Sequence, residues 1–213
     1  MAANDPDLPT ENASASSAPA PERAPRRAEL ARLAAEIQSC RRCALGAVRT
    51  QAVVYRGGEW PRVVFVGEAP GAAEDREGRP FVGRSGHLLD AAIRSIGLGP
   101  DDFGILNVLK CRPPQNRFDT VAAATCRPFL DRQLALLQPR ALVTLGAIAL
   151  RAVDPEAPAI LKTAGTPRAV GPLPFFPLIH PAASLRSGAM RARWQGDVVA
   201  LGRWLGDLAL KPI

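Results

Sequence analysis

Four short apolar runs, Arg62–Val66, Gly104–Leu109, Ala141–Leu145 and Phe175–Ile179, alternate with segments of helical period. Each run reads as a buried strand. Between them, Ser85–Ile96 carries apolar residues at 88, 89, 92, 93 and 96, and Gly97 follows. Thr120–Leu137 opens on a capping Asp119 or Thr120, and Gly146–Val153 stops just before Pro155. A last helical segment, Gly188–Leu208, carries Trp194, Val198, Leu201 and Leu205. Upstream, apolar residues at 30, 33, 34 and 37 form a helix from Arg27 that delivers Cys40 near its end. Strands alternating with helices imply an α/β fold, a parallel sheet covered on both faces.

Length and charge narrow the reading. The chain has 213 residues, enough for one sizeable core. Residues 1–26 are rich in Ala, Pro, Ser and Asn, with one Leu and no aromatic residue. Such a segment buries too little apolar surface to offset its ordering entropy, so a disordered tail is expected there and a single domain over 27–213. No run of 18 apolar residues predicts a membrane span. No basic stretch followed by an apolar one predicts a secretory signal, so a cytoplasmic protein is expected. Residues 1–29 hold three Arg against five acids, whereas the remainder holds 24 basic against 15 acidic residues. An excess of +9 attracts a polyanion such as nucleic acid, although charge alone is weak evidence.

In open sheets of this kind, ligands bind at the carboxyl ends of the strands. Four loops are singled out by that rule. GEAPG, residues 67–71, leaves the first strand, and NVLKCRPP, beginning at Asn107, leaves the second. Gly146 leaves the third, and IHPAASLR, containing His180, leaves the fourth. Gly67 and Gly71 let backbone approach a ligand closely, while Pro70 stiffens the turn. No Gly-Lys-Ser/Thr follows, so this is not a nucleotide P-loop, and it is not GxGxxG. Glu68 is a candidate hydrogen-bond acceptor or a solvated turn residue. Phe81 is either a core plug or a platform for a planar ring. Asn107 offers a donor and an acceptor to an amide-like edge, unless it merely ends a strand. A neutral His180 could donate to an oxygen gaining negative charge. His87 reads as a surface or packing residue. Leu185 and Arg186 read as a base-stack wedge and a phosphate contact, or as an ordinary helix entry.

The four cysteines give the sharpest signal. Cys40 and Cys43 form C-x2-C, Cys111 lies just after the second strand, and Cys126 lies in the helix that follows. Without an export signal a disulfide framework is the weaker reading. Four thiolates suit Zn²⁺ or a [4Fe–4S] cluster, and spacing does not separate the two.

GEAPG, EDREGRPFVGRSGHLLD, NVLKCRPPQNR and HPAASLR, with CRRC, Cys111 and Cys126, together resemble the iron–sulfur (family 4) uracil-DNA glycosylases. The resemblance runs from about Arg27 to about Leu208. It implies a three-layer α/β/α fold with a central four-stranded parallel sheet. It implies a [4Fe–4S] cluster of structural role on Cys40, Cys43, Cys111 and Cys126. It also implies a uracil pocket in which Gly67, Glu68 and Ala69 line the base, Phe81 stacks on it, Asn107 reads its polar edge and His180 faces O2. Catalysis would then fall to His180, Asn107 and Glu68, with Leu185 and Arg186 on the DNA. The implied partner is uracil-containing DNA, single- or double-stranded, taken by a monomer in the bacterial cytoplasm, at the nucleoid while acting. The implied product is an abasic site.

Two departures stand out. The best-known uracil-DNA glycosylases carry a water-positioning Asp where this chain has Ala69; like the family it resembles, it lacks that residue, so the burden moves to stabilising the leaving uracil anion. Ser184 stands where relatives often have a bulkier residue before the Leu-Arg pair, which leaves Leu185 as the wedge. Two other readings are a non-catalytic DNA-binding module with a structural metal, suggested by Ala69 and the basic core, and a small electron-transfer protein, suggested only by the cysteines.

Overall fold

The computed structural model describes residues 20–210. Most of the expected tail lies outside these residues. Its last part does not match the expectation, because helix α1 runs over Ala20–Ser39 and takes in residues 20–26. Arg26 explains the early start: its guanidinium donates to Leu136 O and lies 4.6 Å over the Trp60 ring. Among the described residues, no helix is long and apolar enough to cross a membrane.

After α1 the chain forms α2 (Leu45–Val48), β1 (Arg56–Gly57), β2 (Val63–Gly67), α3 (Ala72–Glu77), α4 (Arg84–Ser95) and β3 (Phe103–Asn107). It continues with α5 (Thr120–Leu137), β4 (Ala141–Leu145), α6 (Ala147–Val153), α7 (Ile160–Thr163), β5 (Arg168–Val170), β6 (Leu173–Leu178), α8 (Pro181–Ser184) and α9 (Gly188–Asp207). The sheet has six strands in the order β1-β3-β2-β4-β6-β5. Its four central strands are parallel, as expected. The expected four-stranded sheet is corrected by two antiparallel edges, β1 on β3 and β5 on β6. Strands of two and three residues carry too few side chains to show a period, and short edges also limit pairing with other chains.

The pleat divides the core in two. Val63, Phe65, Ile105, Val143, Phe176 and Leu178 meet α4 and α9 through Leu89, Ile93, Trp194, Val198, Leu201 and Leu205. Val64, Val66, Leu106, Leu142 and Phe175 point the other way, onto Leu130 and Leu137 of α5 and Leu150 of α6. Residues fully buried on both faces explain why β2 and β4 read as unbroken apolar runs. A third cluster, with Leu33, Ile37, Leu109, Cys111, Cys126 and Phe129, fills the space between α1, α5 and the segment after β3.

Helix α5 is started by Asp119, whose carboxylate accepts from Ala122 N at 2.9 Å. Asp119→Ala is expected to cost about 1 kcal/mol of stability, read as a lower midpoint in urea unfolding.

Candidate functional site

All four parallel strands end on one edge of the sheet. In-register pairing of Gly67 with Asn107 puts the GEAPG loop beside the Asn107 carboxamide. The segment after β3 keeps this register briefly: Val108 N donates to Gly67 O, and Leu109 N donates to Glu68 O, each at 2.9 Å. At this edge lies an open cavity of about 550 Å³. Its wall includes Glu68, Ala69, Phe81, Asn107, Gly146 and His180, so side chains from four separated loops converge as the strand-end rule requires.

Gly67 is buried beneath this cavity and does not line it. A Cβ there would collide with the Asn107 carboxamide and the edge of the Phe81 ring. Glycine is thus required for close approach. Phe81 is itself almost fully buried and holds φ 54°, an uncommon conformation for a bulky residue. Three backbone amides pin this turn to one carboxylate. Glu74 Oε1 accepts from Val82 N at 3.0 Å and Gly83 N at 2.9 Å, and Oε2 accepts from Gly71 N at 3.1 Å. Gly86 completes the turn, since a Cβ on it would run into the Phe81 carbonyl.

The Phe81 and His180 rings lie 5.8 Å apart between centroids and 31° from parallel. His180 caps α8, with Ala182 N donating to its Nδ1 at 3.1 Å. In the neutral ring the proton therefore sits on Nε2. Burial pushes the imidazole down to about 4; Arg186 acts in the same direction and Glu74 opposes it. His180 is neutral at physiological pH and offers one N–H. Burial also pushes the Glu68 carboxyl up. Asn107 is 1% exposed, and its Oδ1 has no hydrogen-bond partner. A buried acceptor with no partner costs about 1–3 kcal/mol, which a ligand N–H can recover.

Leu185 is 39% exposed and Arg186 is exposed, just beyond His180; Arg186 also lines the cavity. Ser184 is fully buried and donates to Pro181 O at 2.7 Å, so it belongs to the interior of α8. His87 is exposed on α4.

The four cysteines meet on the far side of Asn107. Cys40, Cys43, Cys111 and Cys126 all line one small cavity closed by Ile37, Gly46 and Phe129. Among the described residues, no group of three or more His, Cys, Asp or Glu is arranged to hold a single metal ion. Arg49 Nη1 donates to Cys111 Sγ at 2.9 Å. Lys110 is 1% exposed, lines the same cavity and donates from Nζ to Asn107 O at 2.5 Å.

Sequence reasoning missed Glu74, Asn116 and Lys110. Gly-Ala-Ala-Glu at 71–74 has the spacing of a helix cap closed by its third residue, which could have found Glu74. Asn116, on the cavity wall, has φ 55° in the turn after Pro114, and its Oδ1 accepts from Arg112 Nε at 3.0 Å. Nothing local marks it.

Residues 54–197 match the model of the uracil DNA glycosylase superfamily. A type-4 uracil-DNA glycosylase of Thermotoga maritima is 42% identical over 171 residues, covering 78% of this chain and 89% of that protein. Another, from Archaeoglobus fulgidus, is 39% identical and covers 80% and 90%. A type-5 uracil-DNA glycosylase of Pyrobaculum aerophilum is 35% identical but covers only 43% of this chain and 47% of its own. Coverage nearly end to end separates the first two from the third, and the chain belongs to the type-4 uracil-DNA glycosylases of the uracil DNA glycosylase superfamily.

Proposed function

We infer that this uracil-DNA glycosylase takes uracil flipped out of DNA and hydrolyses its N-glycosidic bond by stabilising the departing base. The observation that carries this reading is the unpartnered, buried Oδ1 of Asn107, within a cavity shared with Phe81 and His180. Uracil N3–H would donate to that oxygen, and the amide NH₂ would donate to O4. Cytosine presents an acceptor at N3 and an amine at C4, so both contacts would be reversed. Phe81 would replace part of the stacking lost on extrusion, worth about 1–3 kcal/mol per base against an extrusion cost of a few kcal/mol.

Bond cleavage sends negative charge onto the base. The Nε2–H of His180 is a fixed, neutral donor for O2, and its interaction strengthens as that charge grows. Glu68, with its carboxyl pushed up by burial, holds a proton more readily than a free carboxylate and suits a contact to the base. Ala69 brings no carboxylate to the pocket. Leu185 would fill the gap left by the flipped nucleotide while Arg186 holds a phosphate; their exposure beside the cavity supports both roles.

The cysteine set also fits a [4Fe–4S] cluster. Four thiols line one cavity; these sulfurs would suit zinc as well, and the family resemblance favours the cluster. Arg49 and Lys110 bring positive charge to a site that would hold four thiolates. Bound there, the cluster would tie the end of α1 to the segment after β3 and to α5. No step of hydrolysis needs it.

His180→Ala and Asn107→Ala are each expected to lower single-turnover cleavage of a uracil-containing oligonucleotide by about 10²–10³, the usual effect of losing one such donor. Binding of the same DNA should change much less; equal losses in both would reject the assignment. The pH dependence of kcat/KM reports the free enzyme, so the inflection due to His180 is expected near 4 and not near 6.5. It should vanish in His180→Ala. Leu185→Ala should slow cleavage of duplex DNA severalfold more than of single strands, measured side by side, because only the duplex must be held open.

A further inference from the structure

Lys110 is among the largest fully buried side chains of the molecule, and the reading above gives it no part in the chemistry. A buried ammonium is costly unless anions and acceptors surround it. Lys110 lines the same cavity as Cys126 and Cys111, whose sulfurs as thiolates would offset its charge. The acceptor its Nζ reaches is the backbone carbonyl of Asn107, whose own carboxamide is the unpartnered group of the uracil cavity. One side chain thus touches both the cysteine cavity and the strand tip that carries the base reader.

We propose that Lys110 is a positioning residue that couples the metal centre to uracil recognition, its ammonium anchored by the cysteine sulfurs on one side and holding the Asn107 carbonyl on the other. Thiolates held by the cluster keep the ammonium in place. The ammonium in turn fixes the end of β3, and with it the angle of the Asn107 carboxamide. Arg49 is the contrasting case. It reaches Cys111 Sγ and, on α1, Gln38 O at 2.5 Å, but it has no contact with Asn107. Both cations act on the cluster, and only one acts on the pocket. This inference rests on the cluster reading above.

Iron and sulfide analysis of the purified, unmodified protein tests that reading separately: protein that binds uracil but holds no iron would reject the cluster and the coupling together. In cluster-loaded protein, Lys110→Met should weaken the affinity for free uracil tenfold or more while binding of abasic duplex stays within about twofold. It should also make the cluster's midpoint potential more negative, because a nearby cation favours the added electron. Arg49→Met should lower the potential but keep uracil affinity within about twofold. Lys110→Gln, which can still donate but carries no charge, should recover part of the uracil affinity and none of the potential. Should these variants fail to fold, the unmodified holoprotein decides. An added electron on the cluster strengthens its hold on the ammonium, so uracil affinity should differ between oxidation states, and by reciprocity saturating uracil should move the midpoint potential by about 59 mV for each tenfold difference. An unchanged potential with uracil bound, or a loaded Lys110→Met protein that binds uracil normally, would overturn the proposal.

Discussion

The pocket depends on one carboxylate. Glu74 gathers the amides of Gly71, Val82 and Gly83, and this closes the segment between β2 and α4 on itself. A charged acceptor binds each amide more strongly than a neutral one would, and burial keeps water from competing. That surplus offsets the left-handed backbone at Phe81, which an exposed loop would relax. The ring then stands against Gly67, where a side chain of any size would displace it or Asn107. Phe81 and Asn107 are thereby held at a fixed separation before any ligand arrives. A site that is already organised spends less of its binding energy on ordering itself.

How much of this could be read from the residues depends on where each signal lies. The central strands were legible because burial on both faces leaves an unbroken apolar run, and the observed β4 has the same bounds as the expected strand. Asn107 and His180 were legible as polar residues ending or following such runs. The resemblance to a known family supplied their roles. The edges β1 and β5 were illegible because they are defined by the partner strand and not by their own side chains. Lys110 was illegible for a different reason. A lysine between an apolar run and a cysteine reads as a solvated residue, and only the packing of α1 and α5 over that segment shows that it is buried.

The cysteine cavity and the uracil cavity are joined by a very short stretch of chain. Asn107 ends β3, and Cys111 follows after three residues, two of them, Val108 and Leu109, hydrogen-bonded back to the GEAPG loop. Neither site can therefore shift along the strand direction without the other. A metal centre held by these cysteines, as proposed, would fix the register of this segment as well as stabilise the fold. The C-x2-C pair lies just beyond the end of α1, which is tied to this region by Arg49, reaching both Gln38 O and Cys111 Sγ, by Gln38 Nε2 on Ala52 O, and by packing through the third apolar cluster.

On the proposed reading, the charge distribution of the pocket favours departure of the base over activation of water. A carboxylate at position 69 would help to orient water, but its negative charge would oppose the anion forming a few ångströms away. Alanine removes both effects. What would then face the base is a neutral imidazole N–H, a carboxamide, and a Glu68 carboxyl that burial biases toward its neutral form. Each can meet growing negative charge without first being neutralised. An oxocarbenium-like sugar is strongly electrophilic, which lessens the help a base must give to water. On this argument Ala69 is a consistent part of the site, and the lowered imidazole of His180 complements it by offering a neutral N–H donor.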